Sequence, residues 1–232
     1  MLPVIVFLLI RRYHRLQNGA APEWMEELKR RLPLVTRIII LILTCLIIVP
    51  VVANCQSQKL QYNIMRNGKS IGMIHLSQST TGSITEIILE SQIKFNFLFS
   101  FSAASREECK YENGILQYSL FNRRVNGHEK ANKVTAISNA SYHVTGKDRQ
   151  KVLECFPIRY CLLCMFCNEP NSISKVYSYN LEQLLDVENL KPNKYRVTLP
   201  DGNCNYYTYR NGICTSVDIQ HSLYRVQFIL LH

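Results

Sequence analysis

The sequence is short of charged residues, and especially of acidic ones. Only 19% of its 232 residues are charged whereas 47% are hydrophobic, and this balance excludes an intrinsically disordered chain. The 17 acidic residues are outnumbered by 27 Lys and Arg residues, which gives a formal net charge of +10 at pH 7. The basic residues are scattered along the chain, so they indicate a solvated face rather than a nucleic-acid site.

Short catalytic motifs are missing as well. No P-loop, G-x-G-x-x-G fingerprint or H-E-x-x-H pair occurs, and the histidines at positions 75, 128, 143 and 221 are dispersed. Asp201-Gly202, within "LPDGN", indicates a turn rather than an aspartyl active site. The sequence therefore predicts no catalytic residue and no cofactor, and it favours a non-enzymatic function.

The N-terminal region has the pattern of an export signal. Ile38 to Ala53 contains no charged residue and follows four Lys and Arg residues at 29–31 and 37. The run is shorter than the ~20 residues that span a bilayer as a helix, and Val51 and Ala53 suit cleavage after Ala53. Residues 25–53 are therefore predicted to form a hydrophobic signal helix. It is either cleaved as a signal peptide, retained as a signal anchor, or buried as a core helix.

Two features lie on either side of this segment. Residues 1–24 precede Met25, where a signal of ordinary length would start, so we interpret them as an upstream extension. Cys55 is a candidate for lipid attachment, although Asn54 precedes it where a small residue is usual. The predicted location is the periplasm or cell envelope, with membrane contact through the N-terminal segment if it is not cleaved.

Asn-Gly and Asp-Gly dipeptides are the strongest signal after residue 58. Each lies between alternating or β-branched runs and tolerates the positive φ angles of a two-residue hairpin turn. The sequence predicts one all-β domain with minor α content over residues 59–232: a single antiparallel, strongly curved sheet or half-barrel built of hairpins. Only residues 150–167 and 181–190 have patterns that indicate helix. The five dipeptides begin at Asn67, Asn113, Asn126, Asp201 and Asn211.

These turns also predict which residues face each other. The Asn211 turn places Cys204 opposite Ile219, and the Asn113 turn places Cys109 opposite Tyr118. Neither hairpin therefore predicts a disulfide, although export would lead to an oxidising compartment.

Three cysteines recur at a three-residue step in the apolar stretch "YCLLCMFCNEP", residues 160–170. Cys161 and Cys167 would lie roughly 20 Å apart in a strand and about 9 Å apart along a helix, too far for one tetrahedral metal. The apolar spacers instead predict buried thiols that act as small hydrophobes. Two alternatives remain open: a redox pair of Cys161 and Cys164, and metal or iron–sulfur ligation by Cys155, Cys161, Cys164 and Cys167.

Phenylalanine is concentrated near the middle of the chain. Phe95, Phe97, Phe99 and Phe101 alternate with mostly polar neighbours, so they are predicted to share one face of a sheet. They are candidates for residues that face an apolar ligand, and packing in an ordinary core explains the same pattern.

The arrangement of the turns resembles a known family. Its landmarks here are "YNIMRNGKSIGMIHL", "YENGILQYSLFNRRVNG", "NEP" and "VTLPDGNCNYYTYRNGICTSVDI", followed by a terminal strand. Together they resemble a family of exported bacterial domains of unknown function, found mainly in Bacteroidetes, over nearly the whole chain after residue 60. The resemblance implies an all-β curved sheet or half-barrel, and no accepted activity or catalytic residue.

These observations leave three functional hypotheses. The first is a non-catalytic envelope domain whose curved sheet binds a lipid or another apolar small molecule. The second is a structural or protein-interaction module that engages another envelope protein through edge strands or a basic face. The third is a metal or redox protein based on Cys161, Cys164 and Cys167.

Overall fold

The computed structural model describes Thr36 and residues 56–96, 100–147, 149–153, 157–222 and 224–231. Within these residues no helix has both the length and the apolar character needed to cross a membrane. The upstream extension, the signal segment apart from Thr36, and Cys55 lie outside the described residues. The domain bounds and the export signal therefore stay predictions.

Fourteen strands and one helical turn are the regular elements of the residues described from Gln56 onward. The first eight strands precede the helical turn α1 (Cys164–Cys167), and six follow it. The first eight are β1 (Gln56–Arg66), β2 (Lys69–Thr81), β3 (Ile84–Asn96), β4 (Ser100–Glu112), β5 (Ile115–Val125), β6 (His128–Ser138), β7 (Ser141–Thr145) and β8 (Gln150–Leu153). The last six are β9 (Lys175–Ser178), β10 (Gln183–Lys191), β11 (Lys194–Thr198), β12 (Cys204–Arg210), β13 (Ile213–His221) and β14 (Tyr224–Leu230).

The strands form one unclosed, curved sheet, and the first strand lies in its middle. Strands β1 to β8 run outward in chain order to one edge. The chain then crosses to the opposite edge, and β9 to β14 return in order until β14 pairs antiparallel with β1. The prediction of an all-β antiparallel sheet built of hairpins is confirmed.

Four Asn-Gly dipeptides form the predicted hairpin turns. In each, both the Asn and the Gly have positive φ, which these two residues adopt more readily than others. Asp201-Gly202 lies instead in a longer loop between β11 and β12, and of these two residues only Gly202 has positive φ.

β-Bulges shift two registers away from the prediction. A bulge in the β12–β13 pair places Cys204 opposite Gln220 and not Ile219. A bulge in the β4–β5 pair places Cys109 opposite Ser119 and not Tyr118. An extra residue in one strand moves every later pair by one position, and nothing in the turn dipeptides indicates it.

The helix predicted for residues 181–190 is wrong. In β10, Leu185 and Val187 are buried whereas Asp186 and Glu188 are exposed. This two-residue alternation is that of a strand with one face on the core. Within 150–167 the described helix is limited to the four residues of α1.

The chain crosses the inner face of the sheet in residues 157–174, which we call the crossover segment. Its side chains at Leu163, Met165 and Phe166 are buried. Irregular backbone that leaves water needs hydrogen-bond partners, and it finds them in buried tyrosines of the sheet.

Two of these tyrosines show the arrangement. The Tyr142 hydroxyl accepts a hydrogen bond from the Ile158 amide at 3.2 Å and donates to the Leu116 carbonyl at 2.9 Å. The Tyr209 hydroxyl donates to the Met165 carbonyl at 2.6 Å. The crossover segment is thus tied to both halves of the sheet and fills much of its inner face.

Candidate functional site

A cavity of about 450 Å³ remains on the inner face beside the crossover segment. This volume lies within the range of small-molecule clefts. Strands from both halves of the sheet supply its walls, and Leu162 and Phe166 reach it from the crossover segment. The Phe166 ring packs against the rings of Tyr62 and Tyr207 at centroid distances of 5.4 and 6.3 Å, and these contacts hold it in place. The apolar lining includes Ile64, Ile74, Leu89, Ile93, Val226 and Phe228.

Three charged residues line this cavity: Glu107 and Arg123 on neighbouring strands, and Asp201 in the loop between β11 and β12. Glu107 on β4 is half-buried and accepts a hydrogen bond from the Tyr179 hydroxyl, whereas Arg123 on β5 is exposed. Loss of hydration raises the pKa of Glu107 above its ordinary value, and the bond from Tyr179 and the charge of Arg123 offset only part of this rise. The cavity is apolar along most of its wall, and its charged lining consists of the exposed Arg123 and two carboxylates.

Three buried cysteines meet next to this cavity, and we call them the thiol cluster: Cys109, Cys161 and Cys164. Cys109 lies two residues beyond Glu107 on β4, and the other two come from the crossover segment around the start of α1. The Sγ atom of Cys161 is 3.6 Å from that of Cys109 and 3.6 Å from that of Cys164. All three Sγ atoms lie within 4.8 Å of one another.

The members of the thiol cluster have different proton affinities. Burial raises the pKa of Cys109 and of Cys161. Hydrogen bonds with these two thiols lower the pKa of Cys164 well below its usual range, because they stabilise its thiolate. The hydroxyl oxygen of Tyr111 is 3.3 Å from the Cys164 Sγ atom and completes the polar surroundings of the cluster.

The thiol cluster differs from the four cysteines that the sequence suggested as candidate metal ligands. Cys167 is buried apart from it, and burial raises the pKa of Cys167 to about 12. Cys155 lies outside the described residues. Cys109 was not among the ligand candidates, because it is 52 residues from Cys161 and no local spacing could relate the two.

The phenylalanine candidates divide between described and undescribed residues. Phe95 and Phe101 are half-buried and face each other across the β3–β4 pair, with ring centroids 4.9 Å apart. Phe95 follows Ile93 by two residues and Phe101 precedes Ala103 by two, and Ile93 and Ala103 both line the cavity. Phe97 and Phe99 lie outside the described residues, so the role of the four as ligand-facing residues stays a prediction.

Two further features carry no chemistry that we can assign. A depression of about 590 Å³ on the outer face is bordered by exposed residues such as Met73, His75 and Lys94, so it offers little shielding from water. Gly68 to Gly72 has G-x-S-x-G spacing, but it lies on the β1–β2 hairpin, where the exposed Ser70 donates to Asn63. A nucleophile elbow needs a strand-to-helix turn instead.

The fold and the cavity define a class of protein: an all-β domain whose unclosed curved sheet wraps a buried crossover segment. Within that class, the profile of a family described as a domain of unknown function, DUF6134, matches residues 62–231. The chain belongs to this family. The expectation of an unknown-function domain is confirmed, whereas bacterial origin and export stay predictions.

Comparison with solved structures finds similar chains. The chain is similar to the crystal structure of a beta-barrel-like protein of the domain of unknown function DUF1849 from Brucella abortus, with 9% identity and a TM-score of 0.48. The similarity covers 75% of this chain and 94% of that chain. A comparison with curated proteins found no match.

Proposed function

We propose that this domain is a non-catalytic binding protein of the cell envelope that holds an anionic amphiphile, such as a fatty acid, in the inner-face cavity. The observation that carries the proposal is the largely apolar cavity of about 450 Å³ between the sheet and the crossover segment. Burial of apolar surface is the main driving force for binding an acyl chain, at roughly 25 cal/mol per Å².

One residue of the described cavity lining, Arg123, is basic and supports an anionic head group, whereas Glu107 and Asp201 are the acidic residues of the same lining. Arg123 is exposed at the cavity and makes none of the ion pairs found among the described residues. A guanidinium binds a carboxylate or phosphate in a bidentate geometry. The acyl chain would then lie among residues such as Ile74, Leu89 and Phe228, with its head group at Arg123.

The first experiment blocks the cavity. Ser91 lines it on β3, whereas the adjacent Gln92 is exposed on the opposite face of the same strand. We expect Ser91→Trp to abolish binding of a fluorescent fatty acid by the purified full chain, and Gln92→Trp to leave it unchanged. Native mass spectrometry of the purified protein checks for a co-purified lipid of matching stoichiometry.

The second experiment tests the head-group contact. Arg123→Gln should weaken fatty-acid binding roughly tenfold, because a charge-assisted hydrogen bond contributes about 1.5–3 kcal/mol. Arg124→Gln is the matched control, since Arg124 is exposed and does not line this cavity. If the native protein binds no fatty acid, or if both tryptophan variants bind equally well, the proposal is wrong and a protein-interaction module becomes the better hypothesis.

A further inference from the structure

The thiol cluster has the geometry of a metal site. Thiolates about 2.3 Å from one cation lie roughly 3.7–4.0 Å from each other in tetrahedral or trigonal coordination. The Sγ–Sγ distances of 3.6 Å from Cys161 to Cys109 and to Cys164 are close to this spacing, and the third pair lies within 4.8 Å. Small rotations of the side chains would place all three sulfurs around a common centre.

We propose that Cys109, Cys161 and Cys164 bind one thiophilic d10 cation, Cu(I) or Zn(II). Each thiol that becomes a ligand releases its proton to water, and no oxidation or reduction is involved. The site is independent of the lipid cavity, because its ligands are the sulfur atoms of the thiol cluster and not the cavity lining.

The number of ligands favours Cu(I). Soft thiolates select Cu(I), whereas a structural zinc site is almost always four-coordinate. Across the described residues, no fourth His, Cys, Asp or Glu ligand atom joins the group. Zinc would need the Tyr111 oxygen, which lies 3.3 Å from the Cys164 Sγ atom.

The ligands are held in place by the fold. Cys109 lies within β4, near its C-terminal end, and Cys161 and Cys164 are linked by a hydrogen bond from the Cys164 amide to the Cys161 carbonyl at 3.0 Å. The relative exposures of Cys109, Cys161 and Cys164 are 0, 0 and 5%. A cation therefore enters most readily before the crossover segment packs, so metal must be offered during refolding as well as to the folded chain.

The binding experiment uses the reduced full chain, refolded with Cu(I) or Zn(II) against a competing chelator. We expect one equivalent of metal, and an affinity reduced more than about a hundredfold by Cys109→Ser, since loss of an outer partner alone reduces metal affinity 10–100-fold. Cys167→Ser is the matched control, because Cys167 is also a buried thiol of α1 but lies outside the cluster. Its affinity should equal that of the unaltered chain.

X-ray absorption of the unaltered metal-loaded chain gives a second measurement that does not depend on a variant folding. We expect three sulfur scatterers and no light ligand around Cu(I), and three sulfurs with one oxygen around Zn(II). The proposal is overturned if neither metal binds, if Cys109→Ser binds as well as Cys167→Ser, or if thiol titration finds a Cys161–Cys164 disulfide in chain purified without oxidant.

Discussion

Buried tyrosine hydroxyls stabilise a segment that has little regular structure of its own. The Tyr142 hydroxyl forms hydrogen bonds with the Ile158 amide of the crossover segment and the Leu116 carbonyl of β5. The Tyr209 hydroxyl donates to the Met165 carbonyl of the crossover segment. A buried amide or carbonyl without a partner is destabilising by about 1–3 kcal/mol. Side chains of the sheet therefore provide the hydrogen-bond partners that neighbouring strands provide for each other within a sheet.

Tyr142→Phe tests this role. The change leaves the ring in place and removes the partner of the Ile158 amide and of the Leu116 carbonyl. We expect the free energy of unfolding in urea to fall by about 1–3 kcal/mol. Tyr224→Phe, at an exposed tyrosine, should change it by less than about 0.5 kcal/mol. Equal stability of the Tyr142 variant and the unaltered chain would show that the hydroxyl is not needed.

Gly72 is the residue where a single methyl group should disturb the sheet most. A Cβ atom there would lie 2.1 Å from the Gln92 carbonyl oxygen, which belongs to the backbone of the neighbouring strand. Gly72→Ala should therefore lower the free energy of unfolding by about 1–3 kcal/mol or more.

Gly146→Ala is the matched control for this substitution. A Cβ atom at Gly146 meets nothing closer than 3.8 Å. Urea unfolding of the two variants should give clearly different midpoints, and similar midpoints would contradict the steric argument.

At the scale of elements, a charged contact joins parts of the sheet that are far apart in strand order. Glu182 lies in the turn between β9 and β10, and only 2% of its side chain is exposed. It pairs with Lys133 of β6 at 2.9 Å and with Arg149 before β8. The Lys133 ammonium also donates to the Asn180 carbonyl at 2.6 Å. This contact holds the β9–β10 hairpin against the opposite half of the sheet.

Glu182 should also give the fold a specific dependence on pH. Burial alone would raise the pKa of Glu182, but the hydrogen bonds from Lys133 and Arg149 outweigh it and hold the pKa below its ordinary value of 4.5. A depressed folded-state pKa contributes stability that is fully present above the unfolded-state pKa. That contribution is lost as the pH falls below about 4.5 and through the folded-state pKa.

Glu182→Gln measures this contribution. At pH 7 the substitution should lower the free energy of unfolding by about 1.5–3 kcal/mol, and the difference from the unaltered chain should shrink as the pH falls toward 3. Asp186→Asn on β10 is the control, because its pair with Lys175 is exposed and worth at most about 1 kcal/mol. A difference that stays constant with pH would argue against the ion pair.

At the scale of the whole molecule, the sheet depends on the pairing of its first and last strands. Strand β14 pairs with both β1 and β13, so it joins the two halves, whereas β8 is an edge strand. The pairs that β14 makes with β1 link residues more than 160 positions apart, such as Tyr62 with Leu230. Contacts of this kind form late and slow the folding of antiparallel proteins.

Proline substitutions should separate the central strand from the edge. Gln227 in β14 pairs with Met65 and with Asp218, so Gln227→Pro should abolish cooperative unfolding and the compact elution volume. Lys151→Pro, in the edge strand β8, should leave a folded chain with reduced stability. Equal tolerance of both prolines, measured by circular dichroism and gel filtration, would refute the central role of β14.

The local part of the architecture could be predicted, and the long-range part could not. Asn67-Gly68 and three other Asn-Gly pairs identified hairpins, because Asn and Gly adopt positive φ more readily than other residues. The Asn139-Ala140 turn between β6 and β7 also has positive φ at both positions, and no such dipeptide signal marked it. The bulge that moves Cys204 opposite Gln220 left no sign in the turn. The apolar pattern of 181–190 is also compatible with a helix, and only the packing of Leu185 and Val187 against the core shows that the segment is a strand.

The sequence by itself determined the four Asn-Gly hairpins and the buried character of the cysteine run, because both follow from turn chemistry and side-chain polarity. Only the tertiary structure decided that Cys109 meets Cys161 and Cys164, that Glu182 meets Lys133, and that a cavity remains beside Phe166. These contacts join residues distant in the chain, and they form only when the crossover segment packs into the curved sheet.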